Sequence, residues 1–207
     1  MTLEELAKQI KACKKCPLYK NRTKAVPGEG NPKAELIFIG EGPGQQEDLQ
    51  GRPFVGAAGK FLEEMLGLIK LKREDVFITN IVKCRPPGNR DPLPDEIETC
   101  WPYLVEQIKL IRPKLIITLG RHALQKFIPG LGISSVHGQP KRREIAELGN
   151  LIFYPLYHPA AALYRGNLRE TLEEDFKKIP KVLEKVDELL KEKREETKEE
   201  IEQKRLF

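Results

Sequence analysis

The stretch LIFIGEGPG, residues 36–44, places an uninterrupted apolar run directly before a glycine-rich turn. Three more runs follow along the chain, at Val76–Ile81, Leu115–Leu119 and Leu151–Leu156. Each is bounded by Gly, Pro or Asn, and each is largely apolar and β-branched rather than alternating. Continuous apolar runs are typical of parallel strands that are covered on both faces. The four runs therefore predict the strands of a buried parallel sheet.

Stretches with the helical spacing of apolar residues separate these runs. The clearest are Gly59–Ile69, Asp95–Ile111 and Arg121–Phe127. A capping-box pattern, TLEE at residues 2–5, predicts a further helix near the N-terminus. The alternation of strands and helices predicts an α/β fold with three layers, α/β/α, around a central four-stranded, mainly parallel sheet.

The charge of the chain is unevenly spread between its body and its C-terminal end. The net charge is +5, and it divides into +7 over residues 1–167 and −2 over residues 168–207. A basic body favours a polyanionic partner, although an ordinary solvated surface can also be basic. The charged composition beyond residue 190 predicts one domain over residues 1–190 and a charged tail over residues 191–207.

Composition and the N-terminal sequence indicate where the protein works. No apolar stretch has the length of about 18 residues that a membrane span needs, and the first residues lack the apolar core of a secretory signal. Abundant Glu and Lys with few Met and Trp are typical of thermophile proteins. We therefore expect a cytoplasmic protein without a membrane partner.

The four cysteines form two groups, C-x2-C at Cys13 and Cys16 and C-x15-C at Cys84 and Cys100. Two disulfides are disfavoured inside a cell, and a redox-active C-x-x-C would leave the second group unexplained. Four thiolates are a ligand set for either a tetrahedral zinc ion or an iron–sulfur cluster, and their spacing does not separate the two. Either metal would tie the N-terminal helix to the loop after the second strand, which indicates a structural role.

Polar side chains follow the predicted strands, at the edge where open α/β sheets bind ligands. Glu41 lies in the turn after the first strand, which lacks the pattern of a Walker or dinucleotide-binding loop. Asn80 ends the second strand, and its amide offers an acceptor and two donors to a base edge. His158 follows the fourth strand. Simpler explanations are a solvent-facing Glu, a turn-capping Asn and a structural His.

Three longer motifs are GEGPGQQEDLQGRPFVGAAGKFL (residues 40–62), TNIVKCRPPGNRDP (79–92) and YHPAAALYRG (157–166). Together they resemble the uracil-DNA glycosylase superfamily, and specifically the family 4 enzymes of thermophiles. The four cysteines match as well, and the resemblance covers roughly residues 3–190. Gly42 stands where many members have Ala, and a backbone contact with the substrate would survive that change. The resemblance implies a [4Fe–4S] cluster on the cysteines.

The resemblance also implies a pocket for a uracil that is flipped out of DNA. Phe54 would stack on its ring, Asn80 would pair with O4 and N3–H, and Glu47 would form a wall against C5 that rejects thymine. His158 would stabilise the departing anion at O2, and Glu41 would stabilise the cation-like sugar and orient the attacking water. Such a hydrolase releases uracil from single- or double-stranded DNA for base excision repair and leaves an abasic site without cutting the strand.

Two short segments are candidates for contacts with larger partners. Leu163 would fill the gap in the base stack, with Arg165 toward a phosphate, unless Leu163 packs under its own loop. Gln203, Leu206 and Phe207 resemble a truncated form of the tail peptides by which repair enzymes hold a sliding clamp. The alternative is that Leu206 and Phe207 fold back onto the domain. We expect a monomer that is associated with the nucleoid.

Three other classes of protein share some of these features. A non-catalytic, metal-stabilised nucleic-acid-binding module would bind DNA without releasing a base. A glycosylase of the same superfamily could act on hypoxanthine or thymine, although Asn80 and Glu47 favour uracil. A redox iron–sulfur protein would require the cluster itself to be the working part.

Overall fold

The structure, a computed structural model, describes the backbone of residues 1–205 and the side chains through residue 192 and at Glu195. The strands are β1 (Glu29–Gly30), β2 (Leu36–Gly40), β3 (Phe77–Asn80), β4 (Leu115–Leu119), β5 (Lys141–Ile145) and β6 (Gly149–Leu156). The helices are α1 (Leu3–Ala12), α2 (Gln45–Gln50), α3 (Ala57–Leu68), α4 (Pro94–Ile111), α5 (Arg121–Phe127), α6 (Ile133–Val136), α7 (Pro159–Tyr164) and α8 (Gly166–Arg205). Short 3-10 turns occur at Pro17–Lys20 and Pro87–Asn89.

The strands of the described chain form one mixed sheet in the order β1-β3-β2-β4-β6-β5. The four central strands, β3, β2, β4 and β6, run parallel to one another. Every residue of β2, β3 and β4 is buried, as their uninterrupted apolar runs require. The predicted α/β class and its four parallel strands are therefore confirmed.

Helices cover both faces of the sheet and give the predicted three layers. Phe38 of β2 packs toward α3, α7 and α8, and its ring stacks on Phe176 of α8 with centroids 5.9 Å apart. Ile37 and Ile39 point to the opposite face, where α4, α5 and α6 lie. A third apolar cluster joins α1 to α4 beside the sheet, and the four cysteines lie in it.

The sheet has two more strands than the four predicted, and both are antiparallel strands at its edges. β1 pairs with β3 through only two residues, which is too short to show a pattern in the sequence. β5 has the sequence KRREI, and its middle three residues are exposed. A charged edge strand has one solvated face and an unpaired edge, so the apolar pattern of a buried strand is missing there.

The N-terminal and C-terminal helices agree with the predictions from the sequence to different degrees. The capping box of α1 is present, because Thr2 Oγ1 accepts from the Glu5 amide at 3.2 Å and Glu5 Oε2 accepts from the Thr2 amide at 2.8 Å. α8 continues to Arg205, well beyond Val186, the last buried side chain described. The division of the chain at residue 190 stays a prediction. The side chains of Gln203, Leu206 and Phe207 lie outside the described residues.

None of the described helices is long and apolar enough to span a bilayer.

Candidate active site

A cavity of about 360 Å³ opens at the carboxyl ends of the central strands. Its volume falls in the range of about 300–1,000 Å³ that small-molecule sites usually occupy. The residues predicted for catalysis or substrate binding all line it: Glu41, Gly42, Glu47, Phe54, Asn80 and His158. The structure thus brings together residues that lie up to 117 positions apart in the sequence.

Asn80 ends β3 with its side chain at the wall of this cavity. The residue is 2% exposed, and its Oδ1 has no hydrogen-bond partner among the described residues. Leaving a buried acceptor unpaired costs about 1–3 kcal/mol, so such an atom in a cavity is suited to a ligand that donates to it. The amide oxygen therefore caps no turn and is free to accept from a ligand.

The backbone behind Asn80 is fixed by a buried lysine that the sequence analysis did not single out. Lys83 Nζ donates to the Asn80 carbonyl at 2.7 Å, to Thr79 Oγ1 at 2.6 Å and to Gln107 Oε1 at 2.7 Å. Three acceptors match the three protons of an ammonium group. Gln107 in turn donates to the Pro27 carbonyl at 2.6 Å. This network holds the end of β3 in place beneath the cavity.

Phe54 forms one side of the cavity and stacks on His158, with ring centroids 5.6 Å apart and planes inclined by 28°. Its backbone φ is +51°, a left-handed conformation that residues with a bulky side chain rarely adopt. Gly40 at the end of β2 makes room for it. A Cβ at Gly40 would lie 2.7 Å from Phe54 Cζ and 2.5 Å from Asn80 Oδ1. A side chain at that position would displace both residues from their places at the cavity.

His158 enters the cavity as the N-cap of α7. Its Nδ1 accepts from the Ala160 amide at 3.1 Å, so we assign the ring proton to Nε2. Burial lowers the pKa of His158 to about 4, and the opposing effect of Glu47 is smaller. The ring is therefore neutral near pH 7 and can donate from Nε2. A Cβ at Gly120 would approach the His158 Cβ to 2.9 Å, which explains the glycine there.

Glu47 lines the cavity from α2, and its carboxylate is fixed by backbone amides. Oε1 accepts from Val55 at 2.8 Å and from Gly56 at 2.9 Å, while Oε2 accepts from Gly44 at 3.1 Å. A carboxylate held by three donors cannot swing aside. The Glu47 side chain is accordingly a rigid part of the cavity wall.

Glu41 follows β2 and belongs to a group of three ionisable side chains at the cavity mouth. His122 Nε2 lies 3.7 Å from Glu41 Oε2 and 3.2 Å from Asp91 Oδ2. Burial raises the pKa of Glu41 above its ordinary value, and His122 partly opposes this. The sequence did not identify His122 as a neighbour of Glu41, although its position directly after the third parallel strand was available as a signal.

The four cysteines surround one apolar region beside Leu6 and Ile10 of α1. All four carry free thiols, and Arg22 Nη1 donates to Cys84 Sγ at 3.0 Å. All four are among the described residues, and no three of their sulfur atoms lie within 4.8 Å of one another. Four thiols gathered from α1, the loop after β3 and α4 fit a metal group with thiolate ligands.

The segment after His158 reaches solvent at the end of α7. The Leu163 side chain is 43% exposed although Ala162 beside it is buried, and Arg165 is exposed as well. Leu163 therefore does not pack fully beneath its own loop. Its neighbour Tyr164 is 88% exposed.

A larger cleft of about 650 Å³ lies away from these residues, with Glu29, Arg52 and Arg73 in its walls. Arg52 and Arg73 both hydrogen-bond to the Glu29 carboxylate. Because the charged groups of this cleft already pair with one another, it has fewer unpaired groups for binding a ligand than the smaller cavity has.

The three-layer fold brings an amide, an aromatic ring, a neutral histidine and a carboxylate around one cavity at the strand ends. This arrangement defines an enzyme of the base-excising class. The chain belongs to the uracil DNA glycosylase superfamily, whose family model matches residues 27–184. It is similar to type-4 uracil-DNA glycosylases. That of Sulfurisphaera tokodaii is 54% identical over 86% of this chain and 83% of that enzyme.

Two more type-4 uracil-DNA glycosylases have comparable similarity. The enzyme of Archaeoglobus fulgidus is 54% identical over 86% of this chain and 92% of its own length. The enzyme of Saccharolobus solfataricus is 51% identical over 87% of this chain and 86% of its own length. The resemblance to this family that the motifs indicate is thereby confirmed.

Proposed function

We propose that the chain is a uracil-DNA glycosylase, a hydrolase that removes uracil from DNA and leaves an abasic site. The observation that carries this proposal is the unpartnered Asn80 Oδ1 at the wall of a cavity that Phe54 closes on one side. A buried acceptor selects a ligand that presents a donor. Uracil presents N3–H there, whereas cytosine presents an acceptor at N3.

The base must leave the helix to reach this cavity, because its glycosidic bond is inaccessible within a duplex. Phe54 stacks on the flipped ring, and the backbone at Gly42 lines the same space. The Asn80 amide pairs with N3–H and O4. Glu47, held by three amides, forms the wall against C5 that excludes the methyl group of thymine. A rigid wall is needed because an apolar pocket alone discriminates one carbon by only about 10- to 200-fold.

The reaction breaks the bond between uracil N1 and C1′ of the sugar and adds the hydroxyl of a water molecule to C1′. The bonding electrons leave with uracil, and His158 Nε2–H donates to O2, where the negative charge develops. Glu41 stabilises the cation-like sugar and orients the water, whose proton it can accept. No lysine is among the described residues that line the cavity, so water is the nucleophile and the product is an intact strand with an abasic site.

We assign Cys13, Cys16, Cys84 and Cys100 as the ligands of a [4Fe–4S] cluster. Zinc–sulfur bonds of about 2.3 Å place the sulfurs of a tetrahedral zinc site about 3.8 Å apart. The wider separation of the thiols here supports a larger metal group. A cluster at this place ties α1 to α4 and to the loop after β3, which is a structural role. No step of base removal depends on it.

DNA outside the pocket is contacted by the end of α7. The exposed Leu163 fills the gap that the flipped base leaves in the stack, and Arg165 binds a neighbouring phosphate. Both residues follow His158 within seven positions, so the wedge and the pocket share one short helix.

The test is excision from single-stranded oligonucleotides that carry uracil, thymine or hypoxanthine, followed by alkaline cleavage of abasic sites. Product from uracil alone is expected. Product from hypoxanthine would assign another substrate, and binding without product would make the chain a non-catalytic module. Glu41→Gln should slow single-turnover excision while DNA binding persists, and Asn80→Asp should slow uracil removal and admit cytosine. Glu74→Gln, at an exposed glutamate away from the cavity, is the matched control.

A further inference from the structure

Phe54 places its ring in the cavity from a backbone that adopts an unfavourable conformation. Its φ of +51° places an aromatic residue in the left-handed region. The first turn of α3 packs closely on this backbone, since a Cβ at Gly59 would lie 1.9 Å from the Phe54 carbonyl oxygen. Such a conformation persists only where surrounding groups stabilise it.

Two carbonyl groups of this loop, residues 53–56, are bound by one cation. Arg73 Nη1 donates to the Phe54 carbonyl at 2.8 Å, and Arg73 Nη2 donates to the Pro53 carbonyl at 2.5 Å. On the other side, Glu47 Oε1 accepts from the next two amides, those of Val55 and Gly56. Carbonyls face the cation and amides face the anion, so both charges stabilise the same backbone turn.

Arg73 is itself held in place. Its side chain is 15% exposed, and its Nε and Nη2 donate to Glu29 Oε1 of β1 at 3.0 and 2.5 Å. Burial would raise the pKa of Glu29, but hydrogen bonds from Arg52 and Arg73 outweigh it and lower that pKa, so Glu29 stays anionic near neutral pH. The guanidinium fork can serve two carbonyls and a carboxylate together, which a lysine cannot.

We propose that Arg73 is a positioning residue, which fixes the Phe54 backbone so that its ring can stack on the flipped base. The inference rests on the proposed function, because it needs Phe54 to contact uracil. Arg73 lines the charged cleft on the far side of the loop and not the cavity, so it acts through Phe54 and touches no reacting atom.

The first experiment compares single-turnover excision of uracil by the wild type, Arg73→Met, Arg73→Lys and Arg52→Met, each at saturating enzyme. Arg73→Met should lower the rate by about 10- to 100-fold, as small displacements of a binding group do. Arg73→Lys should recover part of the loss through one carbonyl. Arg52→Met removes another cation from Glu29 but no contact to the loop, so its rate should match the wild type.

A double-mutant cycle separates positioning from general destabilisation. In the Phe54→Ala background, Arg73→Met should change the rate by less than about 2-fold, because the ring that it positions is gone. Equal losses in both backgrounds would overturn the proposal, and so would a wild-type rate in Arg73→Met. If Arg73→Met does not fold, Arg73→Lys in the same cycle gives the answer.

The outcomes also distinguish a failure of this inference from a failure of the proposed function on which it rests. A wild type that releases no uracil refutes the function. A Phe54→Ala variant with an unchanged rate refutes stacking and therefore the role of Arg73, while uracil excision itself stands.

Discussion

The imidazole of His158 is neutral near pH 7, which suits the role proposed for it. Burial lowers its pKa to about 4, and the Ala160 amide fixes which nitrogen holds the proton. A neutral donor is suited to an anionic leaving group, because it stabilises the developing charge without first having to be protonated. The same burial makes the folded state sensitive to acid.

A pH dependence of stability follows for His158. An unfolded histidine has a pKa of about 6.5, so between pH 6.5 and 4 the unfolded chain binds a proton that the folded chain does not. This contribution to the free energy of unfolding is present above pH 6.5 and is lost as the pH falls toward 4. Between pH 7.5 and 5, the wild type should lose about 2 kcal/mol more than His158→Gln. Urea unfolding at both pH values measures this, and parallel losses would contradict it.

Residues at strand ends could be placed from the topology, whereas Glu47 and Phe54 could be predicted only through the family resemblance. Glu41, Asn80 and His158 lie at or just after the carboxyl ends of buried strands, so the topology alone places them at one edge. Arg73 and Lys83 act through long side chains whose direction depends on tertiary packing. No local pattern in the sequence indicates which carbonyl group such a side chain will contact.

Among the elements, α1 depends most on distant parts of the chain. It buries Leu6 and Ile10 against α4, and its C-cap is Cys13. A ten-residue helix is marginal by itself, so packing and the proposed cluster must stabilise it. The edge strands β1 and β5 could not be predicted, because they form by pairing with buried neighbours rather than through a strand pattern in their own sequences.

Removing one cluster ligand should therefore loosen α1. Cys84→Ala is expected to lose iron and to lower the melting temperature by about 10 °C or more, since loss of a metal site costs more than about 4 kcal/mol and each 1 kcal/mol is worth about 2–4 °C. Val82→Ala, a truncation in the same apolar cluster, should keep its iron. Iron content and calorimetry give both values. An iron-free Cys84→Ala with unchanged melting would refute the structural role.

The wedge role proposed for Leu163 on α7 predicts that the effect of a substitution depends on the structure of the DNA substrate. Leu163→Ala should slow excision from duplex DNA by about 10-fold, equivalent to about 1.4 kcal/mol, because the gap in the base stack is no longer filled. Excision from single strands, which have no stack to repair, should be nearly unchanged. Leu189→Ala, at an exposed leucine on α8, serves as the control. Equal slowing on both substrates would mean that Leu163 supports its own loop instead.

At the scale of the whole molecule, the packed body and the C-terminal part of α8 contribute differently. Val186 is the last buried side chain described, and Lys191, Glu192 and Glu195 are exposed. The basic charge lies in the body, whereas residues 168–207 are slightly acidic. Binding of DNA and folding should therefore both depend on the body.

Deletion of residues 191–207 tests this division. The shortened chain should melt within about 4 °C of the full chain, equivalent to about 1 kcal/mol, and should excise uracil from short oligonucleotides at the same rate. A larger drop would place the C-terminal boundary of the domain beyond residue 190. The deletion also removes Gln203, Leu206 and Phe207, so loss of binding to a sliding clamp is a separate readout of the tail hypothesis.

The joining of α1 to α4 and to the loop after β3 also sets an order of events during translation. Cys100 follows Cys16 by 84 residues, which a ribosome adds in about 4–17 s at 5–20 residues per second. Throughout that interval the nascent α1 has no α4 to pack on, and its two thiols lack their partners. Helix α1 thus becomes anchored only after β1, β2 and β3 have been synthesised, although it precedes them in the chain. Nascent chains stalled before Cys100 should accordingly leave Cys13 and Cys16 open to thiol-modifying reagents.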